Sequence, residues 1–267
     1  IAGFYGHNVF LDKSVQKDII QNLSHRGPDS NGIFTNKDKN VFLAHTRLSI
    51  LDISDKGSQP MKSHCKNFVI SFNGEIYNHL ELRDILRTKF KFDRWNGNSD
   101  TETLVNLFTY FNIQEVLNLL KGMFAFALWN LKEETFIIAR DIAGEKPLYW
   151  SKSGENIFFS SEISAMALMI EGSEKKVSFA GLDFLCRNSY IPTPLTIIEN
   201  VNKLPSGKFL EASITEGKIK YKINTFWNAN KIRLEKYKNP LNISDTKAIN
   251  KLEVLLMDSI ESQLISD

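Results

Sequence analysis

Cysteine is scarce in this chain. Two residues, Cys65 and Cys186, in 267 exclude a disulfide scaffold and a Cys-rich zinc module, and they point to a reducing compartment. The five histidines, His7, His25, His45, His64 and His79, are scattered, and none sits in a metal-ligand spacing such as H-E-x-x-H. An excess of one charge is also absent. Lys and Arg total 33 against 31 Asp and Glu, a net charge of +2, which gives no electrostatic basis for nucleic-acid or anionic-membrane binding. The longest apolar runs, such as 123–129, are far too short to span a bilayer. There is no internal repeat, no low-complexity tract, no signal-peptide pattern and no G-x-S-x-G nucleophile elbow. What remains is ordinary globular material, 42% apolar and 24% charged, long enough for one large domain or two smaller ones.

Hydrophobic periodicity organises the first 170 residues. Ser14 is placed to cap a helix with Val15, Ile19, Ile20 and Leu23 on its apolar face, ending before Gly27-Pro28. Residues 41–50 read as a strand, and 68–72 as another that stops at a tight turn on Asn73-Gly74. A helix is expected over 100–111, capped by Asp100 or Thr101, and a shorter one over 113–120. The runs 123–129 and 135–139 form a buried hairpin, and 147–151 with 156–160 a second. Beyond 170 the texture changes. Residues 171–176 read as a polar linker, 208–214 with 218–223 as a further hairpin, and 228–245 as polar and irregular. A final helix carries Ala248, Leu252, Leu255, Leu256, Ile260 and Leu264 on one face, which needs a partner surface.

Four constellations carry chemistry: His25 to Gly32 (HRGPDSNG), Leu43 to Ile50 (LAHTRLSI), Phe72 to Asn78 (FNGEIYN), and Ser99-Asp100-Thr101-Glu102. A strand ending in Asn-Gly brings a side-chain amide and an unencumbered backbone N–H together, which is either an oxyanion hole or a plain hairpin turn. Arg47 in an otherwise apolar strand requires a carboxylate, from the protein or from a ligand. Asp100 at a helix start either caps the helix or holds a substrate ammonium. Together, an oxygen-binding pair, a cation and an anion suit an amino acid with a side-chain carbonyl. The residues alone name no nucleophile. A Cys65–His64 pair is one candidate, but sequence neighbours in a loop or strand point apart. Cys186, after Phe184 and Leu185, reads as a buried, inert thiol.

These motifs, in this order, resemble the glutaminase domain of asparagine synthetase (glutamine-hydrolysing), a class II glutamine amidotransferase among the N-terminal-nucleophile hydrolases. The likeness runs through Ile1-Ala2-Gly3-Phe4, the constellations above, Gly57-Ser58-Gln59-Pro60, 122–127, Arg140-Asp141, 144–149 and Phe159-Ser160-Ser161-Glu162. It continues in Tyr190-Ile191-Pro192 and 203–207. It implies an α+β fold, a four-layer αββα sandwich of two antiparallel sheets, followed by the start of a truncated α/β synthetase domain. The implied divisions are 1–170 for the glutaminase domain, 171–244 for the rest of the sandwich and a linker, and 245–267 for the first synthetase helix. By the same resemblance, Arg47 grips the α-carboxylate of glutamine, Asp100 and Glu75 hold its α-amino group, and Asn73 with Gly74 forms the oxyanion hole. The HRGPDSNG run is then a structural loop, with His25 and His45 packed or hydrogen-bonded.

Two features of the family lie outside the chain. An N-terminal Cys-Gly precedes the Ile-Ala-Gly run, and that Cys is the nucleophile. Its free amine acts as base, with a reference pKa of about 7.7–8.0. Both ends of this chain read as cut, and as it stands it is expected to be inactive. The Ser-Gly-Gly-x-Asp-Ser loop that binds ATP would follow 263–267, so no cofactor is expected here, and ATP and Mg belong to the missing synthetase domain. The expected partners are glutamine in this chain, aspartate and ATP in the missing part, and a second copy in a homodimer. Nucleic acid and membrane are not expected, and the location is expected to be cytoplasmic. Two alternatives stay open: an amidotransferase for another acceptor in polysaccharide or antibiotic biosynthesis, and a catalytically dead scaffold domain of β-lactam-synthetase type.

Overall fold

A computed structural model describes residues 1–7, 11–38, 40–170, 172 and 175–264. Parts of the expected linker (171, 173 and 174) and of the segment leading toward an ATP loop (265–267) lie outside the described residues. The strands are β1 (Ala2–Gly6), β2 (Ser30–Thr35), β3 (Val41–Arg47), β4 (Met61–Lys62), β5 (Phe68–Ile76), β6 (Gly122–Asn130), β7 (Thr135–Arg140), β8 (Tyr149–Ser153), β9 (Asn156–Ser160), β10 (Val201–Lys203), β11 (Lys208–Thr215) and β12 (Lys218–Thr225). The helices are α1 (Lys13–Leu23), α2 (His79–Phe90), α3 (Asp100–Leu107), α4 (Ile113–Leu119), α5 (Ile163–Met169), α6 (Phe179–Asn188), α7 (Ala229–Lys238) and α8 (Asp245–Gln263).

The strands form two six-stranded sheets, ordered β10-β8-β9-β1-β3-β2 and β12-β11-β7-β6-β5-β4. Every pairing between named strands is antiparallel. Strand periodicity sends alternate side chains to opposite faces, and three apolar clusters then define four layers. Ile1, Tyr5, Val41 and Leu43 of the first sheet pack against Val69, Ala127, Trp129, Phe136 and Ile138 of the second. The other face of the first sheet, with Ala2, Phe4, Phe42 and Ala44, is covered by Ile19 and Leu23 of α1 and Ala165 and Met166 of α5. The outer face of the second, with Ile70, Phe72, Phe124 and Phe126, lies under Leu82, Leu86, Leu104, Val105, Val116 and Leu117 of α2–α4. This is the αββα sandwich of two antiparallel sheets. Strands β10–β12 complete both sheets with residues beyond 200.

Several local expectations are corrected. The chain does not turn at Asn73-Gly74. β5 continues to Ile76, in register with β6 from Phe68↔Asn130 to Ile76↔Gly122, so the ladder overrides the local turn preference. α1 is capped by Asp12, which accepts from the Val15 N–H at 2.9 Å, while the Ser14 hydroxyl bonds to Asp12 instead. Ser99, not Asp100 or Thr101, caps α3, accepting from the Glu102 N–H at 3.2 Å. α3 stops at Leu107, short of Phe111. The stretch read as irregular contains α7, and its cap, Asn228, accepts from the Lys231 N–H. α8 runs through the expected final helix, and its Ile249, Leu252, Leu255, Leu256 and Ile260 are exposed. Cys186 is exposed, not buried, because α6 buries only Gly181 and sets no apolar face into a core. No described helix is long and apolar enough to cross a membrane.

Candidate active site

The two sheets meet at one end in a cavity of about 450 Å³, a size typical of small-molecule sites. Three separate elements feed it. Arg47 ends β3, Asn73, Gly74 and Glu75 are consecutive on β5, and Asp100 opens α3. All five line this cavity, together with Ile1, His45, Gln59, Thr101 and Lys146. The sequence-predicted residues are thus brought together although they span more than fifty positions.

Each is held by identifiable contacts. Among the described residues no carboxylate is bonded to Arg47. Its Nη1 donates to the Ser54 carbonyl at 2.8 Å and its Nη2 to the Asp52 carbonyl. Its direct acceptors are thus neutral, and among the described residues its charge is felt without a direct ion pair by the Asp52 carboxyl, whose pKa it helps to lower. The guanidinium passes directly over Gly57, where a Cβ would collide with it. Asp100 is 5% exposed. Its Oδ2 accepts from the Ile76 N–H at 2.9 Å and its Oδ1 from the Thr101 N–H at 2.7 Å. Burial raises its carboxyl to about 6, the two amides oppose the rise, and the Glu75 charge adds to it. Glu75 is raised by burial and lowered by the Lys146 ammonium. Because Ser99 caps α3, the Asp100 carboxylate remains available to the cavity.

The geometry of β5 explains how an interior strand offers a donor. The N–H of Phe72 donates to Gln59 Oε1 at 2.7 Å and that of Ile76 to Asp100 Oδ2. Both leave the β6 ladder, and the two-residue period sends the Gly74 N–H toward the same edge, between them. Across from Gly74, the Phe124 N–H and carbonyl are engaged by Asp141. Gly74 has φ 153°, and a Cβ there would strike the Met123 carbonyl. The Asn73 amide donates to Ser161 Oγ at 3.5 Å, and the same oxygen accepts from the Ile1 nitrogen at 3.3 Å. The leading end of β1 is therefore adjacent to the Asn-Gly pair.

Other candidates fall elsewhere. Cys65 is outside the cavity lining, and its Sγ contacts Ser63 Oγ and Thr109 Oγ1. His64 packs edge-on against Phe92 instead, so no Cys–His pair forms. His25 is exposed, with Nδ1 at 3.0 Å from the Asn22 carbonyl, and His45 is buried, with Nε2 at 3.0 Å from the Phe72 carbonyl. The sequence reasoning assigned no role to Gln59, Lys146 or Ser161. All three lie in the runs that carried the family resemblance, which was the available signal.

A glutamine amidotransferase domain model matches residues 1–227. Asparagine synthetase [glutamine-hydrolyzing] 1 of Bacillus subtilis is 32% identical over 271 residues, covering 100% of this chain and 40% of that protein. Putative asparagine synthetase [glutamine-hydrolyzing] 2 of Methanocaldococcus jannaschii is 31% identical over 277 residues, covering 96% of this chain and 51% of that protein. The chain thus spans about half, or less, of these relatives. The solved structure of glutamine phosphoribosylpyrophosphate amidotransferase from B. subtilis, complexed with ADP and GMP, shares the fold. Its TM-score is 0.59 at 19% identity, covering 85% of this chain and 49% of that one.

Proposed function

This chain belongs to the glutamine amidotransferase domain family, and we propose that its cavity hydrolyses the side-chain amide of free glutamine. The observation that carries the reading is the convergence on one cavity of an unpaired guanidinium, a buried carboxylate and the Asn73-Gly74 donors. Arg47 takes the α-carboxylate through its planar fork. Asp100 and Glu75 take the α-ammonium, and its charge returns the Asp100 carboxyl toward ordinary values. The Asn73 amide and the Gly74 N–H receive the oxygen that becomes negative when the amide carbon is attacked.

The nucleophile is proposed to be a Cys two residues ahead of Ile1. β1 pairs with β3 with Ala2 opposite Ala44. Extending that register backwards sets such a residue opposite Arg47, and strand alternation turns its side chain to the face of Ile1, which faces the second sheet. Its free amine accepts the thiol proton. The thiolate attacks the carbonyl carbon, ammonia departs with that proton, and water cleaves the thioester to glutamate. In the longer protein we propose that the ammonia reaches an ATP-activated aspartate, a reading that rests on the family resemblance and agrees with the asparagine synthetase names of the relatives. Among the described residues no cluster of three or more His, Cys, Asp or Glu side chains could hold a metal ion. By the family resemblance, ATP and Mg are proposed to bind in a synthetase domain that this chain does not span.

The test is direct. The chain extended by Cys-Gly, with that Cys as its first residue, is expected to release ammonia and glutamate from glutamine. Asn73→Ala in that protein should lower kcat by about 10²–10³-fold, the effect of losing one oxyanion donor. No release by the extended protein, or an unchanged kcat for the variant, would refute the reading.

A further inference from the structure

An oxyanion hole works only if its donors are fixed before charge develops. Asn73 and Gly74 lie on the second sheet, whereas the leading end of β1, where the nucleophile is proposed to arrive, lies on the first. Packing between sheets is non-directional, so apolar contact alone leaves the relative position of donors and nucleophile loosely set. Beside the Ser71 hydroxyl of β5, which donates to the Ala44 carbonyl of β3 at 3.2 Å, two polar side chains from the first-sheet side cross this gap at the cavity. His45, on β3, is 5% exposed, and its Nε2 lies 3.0 Å from the Phe72 carbonyl. That carbonyl belongs to the peptide unit whose nitrogen is Asn73. Ser161, immediately after β9, is 1% exposed. Its Oγ accepts from both the Asn73 amide and the Ile1 nitrogen, and its own N–H donates to the Ile1 carbonyl at 2.8 Å.

The imidazole can play only one part here. The Phe72 carbonyl is solely an acceptor, so Nε2 must carry the proton. Nδ1 is buried, and among the described residues no group is hydrogen-bonded to it. A second proton there would have no acceptor, and the ring is therefore held in its neutral Nε2–H form. Burial is the main cause that lowers its pKa, to about 3. A group so held is unfit to take or give protons near neutrality, but it makes a rigid strut.

We propose that His45 and Ser161 are the positioning residues of the oxyanion pair, His45 fixing the peptide plane that leads into Asn73 and Ser161 fixing the Asn73 amide to the leading end of β1. His45 sets the backbone direction. Ser161 engages one Asn73 N–H and leaves the other for substrate oxygen. Ser161 lies outside the cavity lining, and His45, although it lines the cavity, has its only proton committed to the Phe72 carbonyl. The α-groups of glutamine are assigned to Arg47, Glu75 and Asp100, so loss of either residue should act mainly on kcat and largely spare KM. The proposal rests on the glutaminase reading, and its tests separate the two.

In the Cys-Gly-extended protein, Ser161→Ala and His45→Leu are expected to lower kcat by about 10–100-fold, as for a small misplacement of catalytic groups, with KM within about twofold. His45→Gln, which retains a donor toward the Phe72 carbonyl, should recover most of the loss. In an Asn73→Ala background the Ser161→Ala change should cost almost nothing more, because the group it positions is gone. A rise in KM with kcat preserved, or an equal Ser161→Ala penalty with and without Asn73, would overturn the proposal. A second measurement needs no activity. In the present chain, the Asn73 side-chain amide and Gly74 backbone resonances should shift in Ser161→Ala and His45→Leu and stay near their parent positions in His45→Gln. Unmoved resonances in the first two variants would overturn the positioning role even if the extended protein hydrolyses glutamine. Shifted resonances without hydrolysis would support the positioning role and instead count against the glutaminase reading.

Discussion

Replacing Asp100 by Asn should exchange a pH-dependent stability for a pH-independent one. The carboxyl is buried, and its pKa stands at about 6 against an ordinary 3.8. Each tenfold change in proton affinity is about 1.36 kcal/mol, so keeping this group charged in the unliganded fold costs roughly 3 kcal/mol. Between those two values the native state holds a proton that the unfolded chain has released. The stability associated with Asp100 is therefore fully present below about pH 4 and lost as pH rises through about 6. Asn removes this dependence. It also turns an amide nitrogen toward either the Ile76 or the Thr101 N–H, both of which Asp100 now satisfies, a loss of about 1–3 kcal/mol. The variant should therefore be the less stable protein near pH 4 and close to the parent near pH 7. Urea denaturation of both proteins across that range measures the difference, with unfolding midpoints converted through their common slope. A difference that stays constant across the range would refute the reasoning. In the Cys-Gly-extended protein, Asp100→Asn should also raise KM for glutamine by about 10–100-fold, the worth of a hydrogen bond to a charged group.

Three further outcomes are expected. Arg47→Lys, which keeps the charge and loses the fork, should raise KM about tenfold or more with a smaller change in kcat. A des-carboxyl analogue that is disfavoured equally by both proteins would remove Arg47 from substrate binding. Gly57→Ala puts a methyl where the Arg47 guanidinium lies, and should weaken glutamine binding with little effect on the fold of either sheet, as isothermal titration and circular dichroism together would show. Gly74→Ala meets the Met123 carbonyl at a positive φ and should destabilise by about 1–3 kcal/mol, read from the denaturation midpoint. An unchanged midpoint would show that β5 has slack at its central donor.

The family-bearing runs were legible because they are local. Arg47 stands out as a charge in an apolar strand, and Asp100 as an acid at a helix start. Their spatial relation was not legible in the same way. Nothing in the run around Arg47 indicates that its neighbours Asp52 and Ser54 offer only carbonyls to the guanidinium. Nothing local shows that Ser99 takes over capping and leaves Asp100 to the cavity. His45 reads from the sequence only as a packed or hydrogen-bonded residue, and Ser161 only as part of a family-bearing run. Their roles depend on a sheet-to-sheet distance that periodicity does not encode.

The amino-acid order by itself marked several of the strands and helices, which of their faces are apolar, and which short runs carry amide, cation and acid. Those properties follow from neighbours a few residues apart, through steric preference and the two periods of 2.0 and 3.6. Tertiary structure alone decided that Asn73-Gly74 runs straight through a ladder instead of turning, that β3, β5 and the start of α3 meet at one cavity, and that side chains such as His45 and Ser161 brace one sheet to the other. Long-range pairing and the burial of three apolar clusters set these relations, because they outweigh the weak local preference of any single dipeptide.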